Sequence, residues 1–247
     1  MLKFSIITLT SNSSRYLSDA IRSLEMQSYK HYQYIVIDNL STDSTMDILN
    51  KNHALISLIV SEKDNGIYDA LNKGISMSDG DVIGLIHSDD IYADPQVLSD
   101  VAEKFADPNV EAVYGDLDYV SKFDVNNVKR HWVSSSFYFN KLRKGWMPPH
   151  PTLFIRSNVF QRLGSYDTHY RISADYELIL RFFGKGQIKS IYIPRVLVKM
   201  RIGGESNKSL KKILKKSLED YRALRKNQVG GLATLLLKNI TKLNQFF

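Results

Sequence analysis

Short apolar, β-branched runs alternate with helical stripes through residues 1–115, and few architectures accommodate that order. Phe4–Thr8, Tyr34–Asp38, Leu55–Val60, Val82–Ile86 and Val110–Tyr114 read as strands. Between them, Tyr16, Leu17, Ala20, Ile21 and Leu24 share one helix face, and Thr45–Asn50 opens a second helix. Ile67, Ala70, Leu71 and Ile75 line a third, and Val97–Phe105 forms a fourth. This alternation predicts βαβ units and an α/β fold with a mostly parallel central sheet flanked by helices. Ligands of such sheets gather beyond the carboxyl ends of the strands. The acids lie there: Asp38 ends one strand, Glu62 and Asp64 follow another, and Asp89–Asp90 follow a fourth.

Residues 116–206 are less regular. β-like runs at Thr152–Arg156, Ile188–Ile193 and Val196–Arg201 surround one strong helix beginning near Ser173. The sequence has no cysteine, which excludes disulfides, thiolate zinc sites and cysteine nucleophiles. The opening MLKFSIITLT is apolar but runs into Ser11, Asn12, Ser13 and Ser14, so it reads as a buried strand rather than a signal peptide. No stretch approaches the roughly 18–20 apolar residues of a membrane span. A cytoplasmic protein, soluble or peripheral to the membrane, is expected.

The net charge of +7 invites a nucleic-acid reading, but its distribution argues against one. From Asn207 onward, ten Lys/Arg face only Glu219 and Asp220, a local net of +8, and the preceding 206 residues carry −1. A near-neutral body with a basic tail lacks the basic groove that nucleic acid requires, so no nucleic-acid partner is expected.

Three clusters carry chemistry. Asp38-Asn39-Leu40-Ser41-Thr42-Asp43-Ser44-Thr45 runs from a strand end through turn formers into a helix, where a carboxylate can accept hydrogen bonds from a base or ribose, or simply cap the helix. Ser61 to Gly74 turns at Asn65-Gly66 and then carries Asp69, Asn72 and Lys73 on the polar side of a helix. His87-Ser88-Asp89-Asp90 follows an apolar strand. Adjacent carboxylates there repel unless a cation joins them, and Mg²⁺ or Mn²⁺ is commonly held by one or two carboxylates plus phosphate oxygens. An Asp-Asp pair by itself is commonly just a loop; at this position, with Asp94-Pro95 opening the next helix, Asp89 and Asp90 are the expected metal ligands at a diphosphate.

In this order the motifs resemble family 2 glycosyltransferases, inverting enzymes of the GT-A fold, and particularly bacterial members that build O-antigen, capsule or exopolysaccharide repeat units. SIITLTSN is similar to the family's opening strand, DNLSTDST and SEKDNGIYDALNKGI to its acidic turns, and HSDD to its DxD region. HPTLFIRSNVFQRLGSYDTHYRISADYELILRF is similar to the acceptor segment that supplies the base. The resemblance covers about residues 3–206 and implies a nucleotide-sugar-binding half (1–115) and an acceptor-binding half (116–206); residues 207–247 read separately as a helical tail. The same resemblance places Asp38 on the uracil of a UDP-sugar, with Thr8 and Asp64 beside the nucleoside, and divides ribose contact and metal coordination between Asp89 and Asp90. His87 stands where the family has an acid or amide. Asp175 matches the catalytic base, with Ala174 in place of the preceding acid and Glu177 as the fallback.

The implied chemistry is a single displacement. A cation stabilises the departing diphosphate, and a carboxylate takes the acceptor hydroxyl's proton from the opposite face, inverting the anomeric centre. His150 is a candidate sugar contact, or else a packed loop histidine. Trp146 is a candidate stacking platform, or else a core residue. Arg201, ahead of a loop through Ser206, is a candidate for the diphosphate.

In the tail, Leu210, Ile213, Leu214, Leu218, Tyr221 and Leu224 recur at helical spacing, as do Leu232, Leu235, Leu236, Ile240, Leu243 and Phe247. Basic amphipathic helices of this kind lie on anionic membrane surfaces. That would suit a saccharide acceptor on a polyprenyl-diphosphate lipid at the inner face of the cytoplasmic membrane, the acceptor being implied by the resemblance. The alternative is packing against the body or against a second subunit of a homo-oligomer. Two other functions compete: a catalytically silent nucleotide-binding scaffold, and a nucleotidyltransferase. The latter expects a glycine-rich loop after the first strand, and Leu9–Ser14 contains no glycine.

Overall fold

In the computed structural model, which describes residues 1–203 and 210–243, the first strand β1 (Phe4–Thr10) is buried on both faces. Phe4 and Ile6 enter one apolar layer and Ile7 the other. That is the demand placed on a central parallel strand, and it explains the near-continuous apolar run. β1 pairs in parallel with β2 (Tyr32–Asp38) and β4 (Val82–Leu85), and β2 pairs in parallel with β3 (Leu58–Ser61). Helices α1 (Leu17–Glu25), α2 (Thr45–Lys51) and α3 (Ile67–Ser76) make the crossovers.

Beyond β4 the sheet continues through β8 (Phe154–Arg156), β6 (Ala112–Val120), β9 (Ser190–Arg201) and β5 (Ile91–Tyr92), with β7 (Val128–Trp132) on β6. β8 runs antiparallel to both β4 and β6, whereas β6 and β9 are parallel. The runs at 188–193 and 196–201, read as separate strands, form this single β9. Its register against β6 shifts around Pro194 and Arg195, because a bulge accommodates a proline that has no N–H for the ladder. The strand expected over Thr152–Arg156 begins only at Phe154. Residues His150–Thr152 form a 3₁₀ turn, as prolines at 149 and 151 favour.

α4 (Val97–Lys104), with α1 and α2, covers one face of the sheet. α3, α5 (Phe139–Arg143), α6 (Ser157–Leu163) and α7 (Ala174–Ile179) contribute to the other layer, α7 continuing as a π-helical segment over Leu180–Lys185. The tail forms α8 (Leu210–Lys226) and α9 (Leu232–Leu243), and it is part of this second layer. Ala223, Leu224 and Val229 are buried there. Leu224, which the periodicity groups with Leu214 and Leu218, faces inward while those two stay exposed. At Gly145 (φ +81°) a Cβ would meet the backbone of Lys238 at 2.5 Å, so only glycine lets α9 lie this close.

Candidate active site

Asp38 is the last residue of β2, level with Thr10 of β1 and Ser61 of β3. It is fully buried, and its carboxylate accepts hydrogen bonds from Thr10 Oγ1 (2.8 Å), Ser61 Oγ (2.7 Å), the Ser41 N–H (2.9 Å) and the Ser41 hydroxyl. Burial alone would raise its pKa, but the hydroxyl and amide donors outweigh it and hold the carboxyl below the ordinary value. Those donors occupy the carboxylate, so Asp38 pins the strand end and the turn. The exposed neighbour Asn39 is the residue presented outward, and its Oδ1 accepts the Asp64 N–H at 3.0 Å. Thr8 lies deeper, fully buried, with its hydroxyl donating to the Ile86 carbonyl (2.7 Å) and accepting from Tyr34 (3.1 Å). Its hydroxyl ties β1 to the segment before His87, which leaves only its backbone for the expected nucleoside contact. Asp64 pairs with Lys73 at 2.7 Å, and Lys73 also meets Glu62 at 2.8 Å.

At the end of β4 the two acids differ. Asp90 is buried, and its Oδ2 has no hydrogen-bond partner among the described residues. Burial, reinforced by the adjacent Asp89, raises its pKa well above the ordinary carboxylate value, against the opposing Arg201 N–H and charge. Asp89 is partly exposed. Arg201 closes β9 directly behind this pair: its N–H donates to Asp90 Oδ1 (3.3 Å) and its guanidinium to the Asp89 carbonyl (2.8 Å), with an ion pair to Asp19 and the Tyr16 ring beneath. It is buried and fully engaged, so it does not extend toward a diphosphate but counters the acids from inside. Residues 204–206 of the loop it precedes lie outside the described residues. No group of three His, Cys, Asp or Glu that could cage a metal occurs among the described residues. An unpartnered buried carboxylate oxygen beside an accessible aspartate nevertheless fits a divalent ion that completes its shell with phosphate oxygens and water.

Of the acceptor-half candidates, Asp175 and His150 lie close to the end of β4. Asp175, in the first turn of α7, is partly exposed, and the Tyr68 hydroxyl donates to it at 3.3 Å and to the Ile172 carbonyl at 2.7 Å. Tyr68 stacks on Tyr166 (5.6 Å between ring centroids), and the Tyr166 hydroxyl is 2.7 Å from His150 Nε2. Burial lowers the pKa of His150 to about 4, with the Asp175 charge opposing and His87 reinforcing the shift. His87 is likewise lowered by burial, against the charges of Asp89 and Asp175. His87 thus lies in the fields of both Asp89 and Asp175, and His150 in those of Asp175 and His87, joining the two halves of the chain. Asn72 clamps those halves: its amide donates to the Tyr166 carbonyl and accepts the Tyr166 N–H, both at 2.9 Å.

Two candidates lie elsewhere. Glu177 is fully buried, and Arg181 Nη2 (3.0 Å) and Asn227 Nδ2 (3.3 Å) occupy its carboxylate, so it braces α7 against α8. Trp146 packs among Tyr114, Phe137 and Phe183, with ring centroids 5.5–6.2 Å away, as a part of the core. Sequence reasoning missed Asn39, Tyr68 and Tyr166. The signal available for Tyr68 was a polar-tipped ring two residues after the Gly66 turn; the other two carried none.

Two acids thus stand at the carboxyl end of β4 in a mixed α/β sheet flanked by helices, with Asp175 coupled to them through His87. The sequence profile of Glycosyl transferase family 2 matches residues 5–169, and the chain belongs to that family. It is 27% identical over 209 residues to a PGL/p-HBAD biosynthesis glycosyltransferase of Mycobacterium bovis, covering 83% of this chain and 79% of the relative. An uncharacterized glycosyltransferase of Mycobacterium tuberculosis is 30% identical over 181 residues, covering 72% and 67%. Among solved structures, S. aureus TarS 1–349 in complex with UDP-GlcNAc superposes with a TM-score of 0.72 at 17% identity, covering 92% of this chain and 66% of that one. The mannosyltransferase PcManGT from Pyrobaculum calidifontis, in complex with GDP-Man and Mn2+, gives 0.66 at 19%, covering 98% and 69%.

Proposed function

We propose that this glycosyltransferase moves a sugar from a nucleotide-diphosphate sugar, with UDP as the nucleotide, to a saccharide hydroxyl with inversion. The reading is supported by Asp175, a partly exposed carboxylate that accepts from the Tyr68 hydroxyl and whose charge, with that of Asp89, acts on His87. Asn39 and Asp64 border the nucleoside at the ends of β2 and β3. Asp89, with Asp90 behind it, would hold a Mg²⁺ or Mn²⁺ ion, which when bound stabilises the negative charge of the departing diphosphate. Asp175 takes the proton of the attacking hydroxyl, an effect of about 10²–10⁴ in rate. His150, kept neutral by burial, offers a hydrogen bond to the sugar without adding charge.

The acceptor in this reading is carried on a polyprenyl-diphosphate lipid during cell-surface polysaccharide synthesis. Leu214, Leu218, Leu232, Leu236 and Ile240 are exposed on the tail among lysines and arginines, which supports docking on an anionic membrane surface. No helix among the described residues is long and apolar enough to cross a membrane.

The test is a thermal-shift panel of UDP-, GDP- and dTDP-sugars with and without Mn²⁺, followed by turnover with Asp175→Asn. Ligand binding to the native state raises Tm by mass action. UDP-sugars shifting Tm only with Mn²⁺, and Asp175→Asn abolishing transfer while retaining that shift, are expected. Loss of binding together with transfer would assign Asp175 a structural role instead.

A further inference from the structure

Glu219 lies on α8, in the segment the sequence sets apart as a tail, yet it is only 4% exposed. Its Oε2 accepts the backbone N–H groups of Ile172 (2.8 Å) and Ser173 (3.0 Å), and Oε1 accepts that of Arg171 (3.2 Å). These three residues lead directly into α7, whose own first residue before the helix, Ser173, supplies no side-chain cap. A helix start leaves its first N–H groups without intrahelical partners, and here a carboxylate from a distant helix gathers the donors that precede them.

The same three residues are held from the opposite side. The Ile172 carbonyl accepts the Tyr68 hydroxyl that also reaches Asp175. Residues 171–173 are thus fixed through their N–H groups by α8 and through a carbonyl by α3, and Asp175 follows two residues later. We propose that Glu219 is a positioning residue for the transfer reaction: it sets the backbone from which Asp175 faces the acceptor hydroxyl. The tail is then a working part of the active site and not only a means of attachment. This inference rests on Asp175 being the base.

Glutamine does not replace Glu219 in this role. Its single carbonyl oxygen cannot gather three donors, and its amide brings further N–H groups against them. Displacements of about 1 Å at a reacting group cost on the order of 10²-fold in rate even when binding is untouched.

The test compares wild type, Glu219→Gln, Glu219→Asp and Asp175→Asn by release of nucleotide from UDP-GlcNAc or GDP-mannose, whichever the wild type hydrolyses, alongside Tm. Glu219→Gln is expected to lower kcat at least tenfold with KM for the donor within twofold, measured well below its Tm. Glu219→Asp, which retains the charge, should recover part of that loss. Added to Asp175→Asn, Glu219→Gln should cause no further decrease, since both act through one carboxylate. Full activity of Asp175→Asn would overturn the base assignment and this proposal with it. An inactive Asp175→Asn with Glu219→Gln within twofold of wild type would overturn this proposal alone. Should Glu219→Gln not fold, amide exchange at Ile172 and Ser173 in the wild type decides: slow exchange supports the bracket, and exchange as fast as an open loop overturns it.

Discussion

His150 Nε2 and the Tyr166 hydroxyl lie 2.7 Å apart, where burial disfavours the charged imidazolium. Burial sets the pKa of His150 at about 4, below the ordinary 6.5, so the folded protein binds fewer protons here than the unfolded chain between those two values. The stability this group contributes is fully present above pH 6.5 and is lost as pH falls toward 4. Between pH 7 and pH 5 the loss amounts to about 2 kcal/mol, from 1.36 kcal/mol per pKa unit. Urea unfolding at both pH values should show that decrement in the wild type, and a smaller one in His150→Gln.

The sign is opposite at Asp90. Its carboxyl is raised by burial and by Asp89, so its contribution favours the folded state below the ordinary carboxylate range and is lost as pH rises through the elevated value. Ionising Asp90 beside Asp89 costs free energy unless a cation joins them. Asp90→Asn keeps an acceptor for the Arg201 N–H while removing the charge, so metal-free Tm at pH 7 should rise relative to wild type. The Mn²⁺-dependent part of the UDP-induced Tm shift should shrink in the same variant. A drop in metal-free Tm would mean that Arg201 already balances the charge.

The two sides of the tail call for different outcomes. On the inner side Ala223, Leu224 and Val229 are buried, and a buried apolar side chain contributes about 1.5–3 kcal/mol. Removing residues 207–247 therefore takes away several such terms together with the Glu219 bracket. That loss is comparable with the roughly 5–15 kcal/mol by which domains are stable, so the truncated chain should not accumulate as folded protein. On the outer side, Leu218→Ser with Leu236→Ser touches exposed positions, where substitutions change stability by about 0.5 kcal/mol or less. That double variant should keep its Tm and its donor hydrolysis while losing sedimentation with anionic vesicles. Retained sedimentation would remove the membrane from the proposed function.

What could be read from residues alone follows from which signals are local. The βαβ half was legible because each strand and helix announces its period, and acids after strands fall at the carboxyl edge by geometry. Asp175 is singled out by resemblance, and a helix beginning near Ser173 by its local pattern; the structure starts that helix at Ala174. The tail's amphipathic pattern was visible, but not which face turns inward. Leu214, Leu218 and Leu224 look alike in a helical stripe, and only the packed body shows that Leu224 is covered. Glu219 and Arg201 carry charges that a sequence reading leaves in solvent, and tertiary partners far along the chain bury them. Asp38 is assigned to the nucleoside by resemblance, with a structural role as the alternative; the hydroxyls of Thr10, Ser41 and Ser61 that bond to it come from three separate segments and could not be read locally.

Tyr68 offers the most direct test of how the donor half acts on Asp175, the proposed base. Its hydroxyl, on α3, reaches the Ile172 carbonyl at 2.7 Å and Asp175 at 3.3 Å, and desolvation by burial raises its pKa, so it remains a donor throughout the working range. Tyr68→Phe keeps the ring and its stacking on Tyr166 while removing both bonds. An average hydrogen bond contributes about 1 kcal/mol net, so Tm should fall by only a few degrees. Asp175 would lose its one donor from α3, and kcat should fall about tenfold, following the cost of misplacing a reacting group. KM for the donor should hold, since neither bond faces the nucleotide. Steady-state kinetics beside a melting curve separate the two effects, and an unchanged kcat would show that Asp175 is held by α7 and Glu219 without help from α3.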